Sequence, residues 1–173
     1  MLWQKPQHFL RNKFEDNMSE PMTMLGKKLL EDELTHLIRV EREEIKQAIA
    51  EARELGDLKE NAEYSAAKER QSIIEGRILD VQSKIARGRV IDVTTLHSIK
   101  IVFGATVTIY DNQKETTITF QIVGEDEAMT DSKKISYNSP LGKALIGKEI
   151  GDEVIVKAPK GDLTYEVQDI KYA

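Results

Sequence analysis

Apolar residues follow a helical period through the first half of the chain and an alternating one through the second. From Met24 to about Leu55 they fall at Leu25, Leu29, Leu30, Leu34, Leu37, Ile38, Ile45, Ala48, Ile49, Ala52 and Leu55. The steps are mostly three, four or seven, one face of a helix with coiled-coil character. Thr23 is a suitable N-cap. Val40 and charged residues fill the gap between Leu37 and Ile45, and Arg39 and Glu43 can pair at i,i+4 on the wet face. Some thirty helical residues make a rod of roughly 45 Å. A second helix is predicted from about Leu58 to Arg87, with the stripe Ala62, Ala66, Ile73, Ile74, Ile78, Val81 and Ile85. Asp80 and Lys84 form another i,i+4 pair, and Gly88 fits a C-terminal cap. Two long helices joined by a turn of a few residues must run antiparallel.

After Gly88 the period shortens. Arg89–Val93, Ile101–Phe103 leading through Gly104 into Ala105–Tyr110, Thr116–Val123, Ile135–Tyr137, Val154–Lys157 and Leu163–Ile170 read as strands. Asp111-Asn112-Gln113 and Pro159-Lys160-Gly161 read as turns. Ser139-Pro140 opens a short helix that stops near Gly147, with serine as cap and proline at the first helical position. The fold class is therefore α+β: an antiparallel coiled-coil hairpin, then a small, mostly antiparallel sheet with one helix against it. Residues 1–20 form a flexible leader, 21–89 the hairpin and 90–173 the sheet domain. The methionines at 18, 22 and 24 suggest a start site placed too far upstream; the other reading of the leader is a short helix, Phe9 to Phe14, on the body.

Composition narrows the function. The chain has 173 residues, 32% of them charged, and a net charge of −5. A polyanion binder held by bulk charge needs a basic face, so this balance argues against one. It leaves open a protein that reaches nucleic acid through a partner. No cysteine is present, which removes disulfides, zinc–thiolate sites and cysteine nucleophiles and permits a reducing cytoplasm. His8, His36 and His97 are scattered, without metal-ligand spacing. No apolar run approaches the roughly 18 residues of a membrane span, so no membrane association is expected.

The chemistry gathers at the hairpin tip, Gly56-Asp57-Leu58-Lys59-Glu60-Asn61-Ala62-Glu63-Tyr64. Asp57 and Glu60 are three apart. As a capping box, Asp57 caps the second helix and Glu60 sits at N3, with Gly56 supplying the turn. As a site, the two carboxylates share a face and offer oxygens to one hard cation such as Mg²⁺. They do not fill an octahedral shell, so water and a partner's groups would complete it. Metal-assisted attack of water on a phosphodiester is the chemistry such a half-site serves. Spacing alone leaves both readings open.

The run Ile49-Ala50-Glu51-Ala52-Arg53-Glu54 and the tip that follows it resemble the bacterial GreA/GreB transcript cleavage factors. The likeness continues at Ala66–Glu69, Glu75–Ile78, Val102–Val107, Ile122–Gly124 and Asn138–Lys148, and covers about residues 20 to 173. The modest basic content near the tip is closer to the GreA members than to the GreB members. The resemblance implies that the C-terminal domain has an FKBP-like fold and docks on RNA polymerase. The hairpin would pass down the secondary channel, where Asp57 and Glu60 help hold a Mg²⁺ shared with the polymerase, none being bound stably by the factor alone. The backtracked 3′ end of the nascent RNA is then cut. On this view the chain is not an enzyme but stimulates the polymerase's intrinsic nuclease, as a cytoplasmic monomer.

The resemblance also places Arg53, Lys59 and Lys68 at positions that steer RNA phosphates, beside their reading as solvated surface. Asn138, Ser139 and Pro140 match the loop that docks on the polymerase rim, beside their reading as a well-made helix start. Tyr64 supports the tip or stacks near RNA, though packing is the commoner role there. Three competitors remain: an inhibitory secondary-channel binder of the same fold, a prolyl isomerase or chaperone built on the C-terminal domain, and a coiled-coil adaptor with inert tip acids. The intact Asp57-x-x-Glu60 run counts against the first. The second lacks aromatic residues to line a proline pocket.

Overall fold

The computed structural model describes residues 19–54, 62–129, 133–157, 159 and 161–172. They form two compact units, one of residues 28–87 and one of residues up to 27 together with those from 88 onward. In chain order the elements are β1 (Glu20–Met22), α1 (Met24–His36), a π-helical turn (Leu37–Glu41), α2 (Arg42–Glu54), α3 (Ala62–Arg87), β2 (Gly88–Val90) and a 3-10 turn (Val93–Thr95). There follow β3 (Thr106–Asp111), β4 (Thr116–Val123), α4 (Glu125–Ala128), β5 (Lys134–Ser136), α5 (Pro140–Leu145), β6 (Glu153–Val156) and β7 (Leu163–Lys171). The α+β class is as expected. Strand β1 and the short helix α4 were not foreseen.

The hairpin unit packs α2 against α3. Its buried seam is Leu30, Leu37, Ile45, Ile49 and Ala52 on one arm and Ala67, Ile74, Ile78 and Val81 on the other. Each fully buried Ile or Leu contributes about 1.5–3 kcal/mol relative to exposure. The α3 seam runs back from Val81 in steps of three, four and seven, which selects Ala67 and excludes the expected Ala62, Ala66 and Ile73. Ala62 and Ala66 are exposed, and Ile73 is 65% exposed. One residue off the seam is a rotation of about 100°, enough to turn a side chain into water.

The first arm holds one residue too many for a heptad. Leu30 to Leu37 is seven residues, but Leu37 to Ile45 is eight. The π turn absorbs the excess: the N–H of Arg42 donates to the carbonyl of Leu37, five residues back. Ile45 thereby stays on the seam.

Ion pairs flank the seam. Arg42 grips Glu75 through Nε (2.7 Å) and Nη2 (2.5 Å). Arg77 grips Glu33 through Nε (2.6 Å) and Nη2 (2.8 Å). Both are forked contacts that fix geometry as well as charge. Asp80 takes Lys84 at 3.5 Å, as its spacing suggests, and also Arg77 at 2.8 Å. Glu43 pairs with Lys46 at 2.7 Å, not with the expected Arg39.

In the other unit the five-stranded sheet runs β5-β4-β3-β7-β6, antiparallel except for the β4–β5 pair. Its core joins Ile101, Val107, Ile109, Phe120, Ile122, Val154 and Val167 with Leu145 from α5. A bulge in β7 opposite Thr108 and Ile109 shifts the ladder by one residue, so that Val107 pairs Ile170 while Ile109 pairs Val167. The β3–β4 turn is tied by the buried Asp111, whose Oδ1 accepts from the N–H groups of Gln113 (3.0 Å) and Lys114 (3.1 Å). Separately, β1 and β2 pair in parallel, Glu20 opposite Gly88 and Met22 opposite Val90.

Candidate functional site

Asp57, Lys59 and Glu60 lie outside the described residues. What the structure gives is the frame on either side. Helix α2 ends at Glu54 and α3 begins at Ala62. At 1.5 Å per residue the 26 residues of α3 rise about 39 Å from the base of the hairpin. Ala52 and Ala67 are buried near this end, and their small side chains allow a close approach of the two backbones. The Arg53 guanidinium lies over the Tyr64 ring, 5.8 Å from its centroid. A cation over an aromatic face contributes about 0.5–1 kcal/mol at an exposed site. This joins the last turn of α2 to the first turn of α3 immediately below the tip.

Lys68 is exposed and donates to Gln71 Oε1 at 2.7 Å. It stands one turn beyond Tyr64 on the same face of α3. Of the RNA-contacting candidates, then, Arg53 and Lys68 stand on facing arms, and Arg53 is engaged with Tyr64. Glu51, Glu54 and Glu63 are exposed around them. No group of three or more His, Cys, Asp or Glu side chains suited to a metal gathers among the described residues. No helix there is long and apolar enough to cross a membrane.

Asn138, Ser139 and Pro140 form the entrance to α5. Ser139 Oγ accepts from the Gly142 N–H at 3.0 Å and donates to the Ser136 carbonyl at 2.7 Å. Pro140 occupies the first turn. Gly142 is required here, since a Cβ would stand 2.3 Å from the Ser136 carbonyl oxygen. Asn138 and Pro140 are exposed. The loop is thus a tightly made helix start that leaves two of its three residues facing solvent. Beside it Tyr137 meets Phe103 edge-on at 5.8 Å, and burial pushes its hydroxyl above the ordinary value.

Sequence reasoning missed the two cross-helix arginine forks. Their signal was a glutamate on each arm, Glu33 and Glu75, beside the seam rather than opposite it. It also missed Glu127, a buried carboxylate in a run of acids.

The comparisons with known proteins agree in register with this architecture. Residues 20–90 match the family model described as transcription elongation factor, N-terminal. Residues 97–172 match the model described as transcription elongation factor, GreA/GreB, C-term. The transcription elongation factor GreA of Pseudomonas aeruginosa is 53% identical over 153 residues, covering 88% of this chain and 97% of that protein. The factor of the same name from Francisella philomiragia is 56% identical over 153 residues, covering 88% and 96%. Among solved structures, the GreA factor homolog 1 (Gfh1) of Thermus thermophilus aligns with a TM-score of 0.41 at 28% identity, over 88% of this chain and 99% of that one. The two family models, which between them span most of the chain, and relatives at this level of identity show that the chain belongs to the GreA/GreB family of transcription elongation factors.

Proposed function

We propose that the protein binds RNA polymerase, inserts its hairpin into the secondary channel and stimulates cleavage of the 3′ end of backtracked RNA, so that arrested complexes resume. The observation that carries this reading is the pair Asp57 and Glu60, three apart, between the ends of two long antiparallel helices in a chain of this family. In sequence the acids lie between the ends of the two arms, and the forked pairs at Arg42 and Arg77 keep the arms in step.

Asp57 and Glu60 offer only carboxylate oxygens, which suits a hard divalent cation shared with the polymerase's own acids. Such a cation, when bound, supplies charge neutralisation and a more acidic water. The chain's part is to hold these oxygens at the end of a rod and to orient the attacking water. Arg53, Lys59 and Lys68 contact RNA phosphates. Asn138, Ser139 and Pro140 dock on the polymerase rim, where the exposed Asn138 and Pro140 meet the partner while Ser139 holds the loop. The chain is a stimulator of the polymerase's nuclease rather than a free-standing one.

The test compares wild type with Asp57→Asn and Glu60→Gln in cleavage of backtracked complexes. Asparagine caps a helix about as well as aspartate, so the turn survives in Asp57→Asn while one metal-binding charge is removed. Unchanged melting and polymerase binding with cleavage largely lost is the expected outcome. Cleavage that persists in both variants at saturating protein would leave the acids as caps and remove the metal site.

A further inference from the structure

We propose that Glu127, held by Lys134, is a positioning residue that clamps the start of the tip-bearing hairpin. The proposal rests on the function just given. Three observations within the sheet unit carry it. First, Glu127 is 3% exposed, and its oxygens are divided. Oε1 accepts from Lys134 Nζ at 2.9 Å, and Oε2 accepts a hydrogen bond from the Thr23 hydroxyl. Thr23 Oγ1 in turn accepts from the Gly26 N–H at 2.9 Å. A carboxylate from α4 therefore extends the N-cap of α1, where negative charge is favoured by the helix dipole.

Second, Gly26 stands in the first turn of a helix, where glycine is less favourable than alanine. A Cβ at that position would lie 2.9 Å from Glu127 Oε2. The glycine makes room for the carboxylate. Third, the apolar side chains of the same turn do not anchor it. Met24 is 69% and Leu25 48% exposed, and they line an open cavity of about 420 Å³ together with Val93, Gln121, Glu127 and Lys134. The polar cluster holds the turn, as does the β1–β2 pair that precedes it.

A clamp at the base of a rod acts on binding rather than chemistry. A loosened base must be re-ordered each time the factor engages, which weakens engagement and leaves the bound state's chemistry unchanged. The experiment uses the full chain with Glu127→Gln and Lys134→Met together, so that no buried charge is left alone. Amide exchange at Gly26 and Lys27 and the dependence of transcript cleavage on factor concentration are measured beside wild type. First-turn exchange should accelerate, and half-saturation should rise about tenfold, the scale of one lost charge-assisted contact. The plateau rate should stay within about twofold, since the acids are untouched.

Half-saturation equal to wild type despite faster exchange would make the cluster merely structural and overturn the proposal. A lower plateau at unchanged half-saturation would overturn it too. If the double variant does not fold, Gly26→Ala gives the same readings with both charges in place. A wild-type protein that stimulates no cleavage would instead defeat the proposed function, and the clamp would then stand or fall on the exchange rates alone.

Discussion

Each unit of the protein contains one residue that its regular geometry has no room for, and each disposes of it differently. In the hairpin the excess lies between Leu37 and Ile45 and is taken up by a π turn inside one arm. The irregularity stays within that arm's own hydrogen bonds, and α3 opposite runs unbroken from Ala62 to Arg87. In the sheet the excess lies in β7 and is taken up as a bulge against β3. There the hydrogen bonds belong to two strands, so the partner ladder must shift as well. A helix can hide an insertion from its neighbour; a strand must share it. In both cases the gain is the same: side chains beyond the irregularity, Ile45 and Ile170, return to the apolar face.

The strongest test of this difference changes length. Inserting one alanine after Ser72 in the uninterrupted α3 moves Ala67 about 100° off the seam that continues at Ile74 and brings the charged Lys68 to its place. The tip half of the hairpin should lose its packing, seen as loss of protection from amide exchange in residues 45–54 and 62–71. Deleting Val40 instead restores seven residues between Leu37 and the isoleucine that follows, so the π turn should become ordinary helix and stability should change by no more than about 0.5 kcal/mol, the scale of an ordinary surface change. Equal damage from the two changes of length would abolish the distinction.

A smaller effect is expected from volume alone. Ile109 is fully buried in β3 between β4 and β7, beside the bulge. Ile109→Ala should cost about 2–5 kcal/mol of the sheet unit's stability in denaturant melts, with hairpin protection unchanged. A loss that spread equally to the hairpin would mean the units do not melt independently.

The smallest effect is electrostatic. The hydrogen bonds from Arg42 hold the Glu75 carboxyl below its ordinary value, and Glu75 in turn raises Arg42. A carboxylate lowered by folding stabilises the folded state above its unfolded value, and that contribution is lost as pH falls through the lowered value. Hairpin melting should therefore decline at acid pH below the usual carboxylate range, modestly because the pair is partly exposed. Glu75→Gln should flatten this part of the pH profile. An unaltered profile would remove Glu75 from the account.

Both irregularities were visible in the sequence as broken periods, but not interpretable there. The step of eight from Leu37 to Ile45 read as a gap, because the period alone cannot say whether a helix ends, slips or bulges. The step from Val167 to Ile170 passed as one strand. Thr116–Val123 was legible to the residue because alternation, β-branching and the flanking Gly124 agree. The α3 seam was not, since Ala66 and Ala67, like Ile73 and Ile74, offer an apolar residue in either phase, and only packing against the other arm decides. Strand β1, three residues with Pro21 in the middle, owes its existence to β2, far along the chain.

The candidate site divides in the same way. The Ser139 cap is a short-range pattern and could be read directly. Glu127 looks like one more solvated acid in Glu125-Asp126-Glu127, and its burial depends on Thr23, over a hundred residues away. The Arg53–Tyr64 stack likewise needs both arms in place.

The parallel pairing of Glu20–Met22 with Gly88–Val90 has a bearing on how the family can vary. The chain departs into the long helices and returns from them at neighbouring rungs of one small ladder. Topologically the arms are a cassette with its two ends at a single doorway. A pair of arms from a relative could be grafted between residues 23 and 87 by two cuts, without redrawing any strand of the larger sheet.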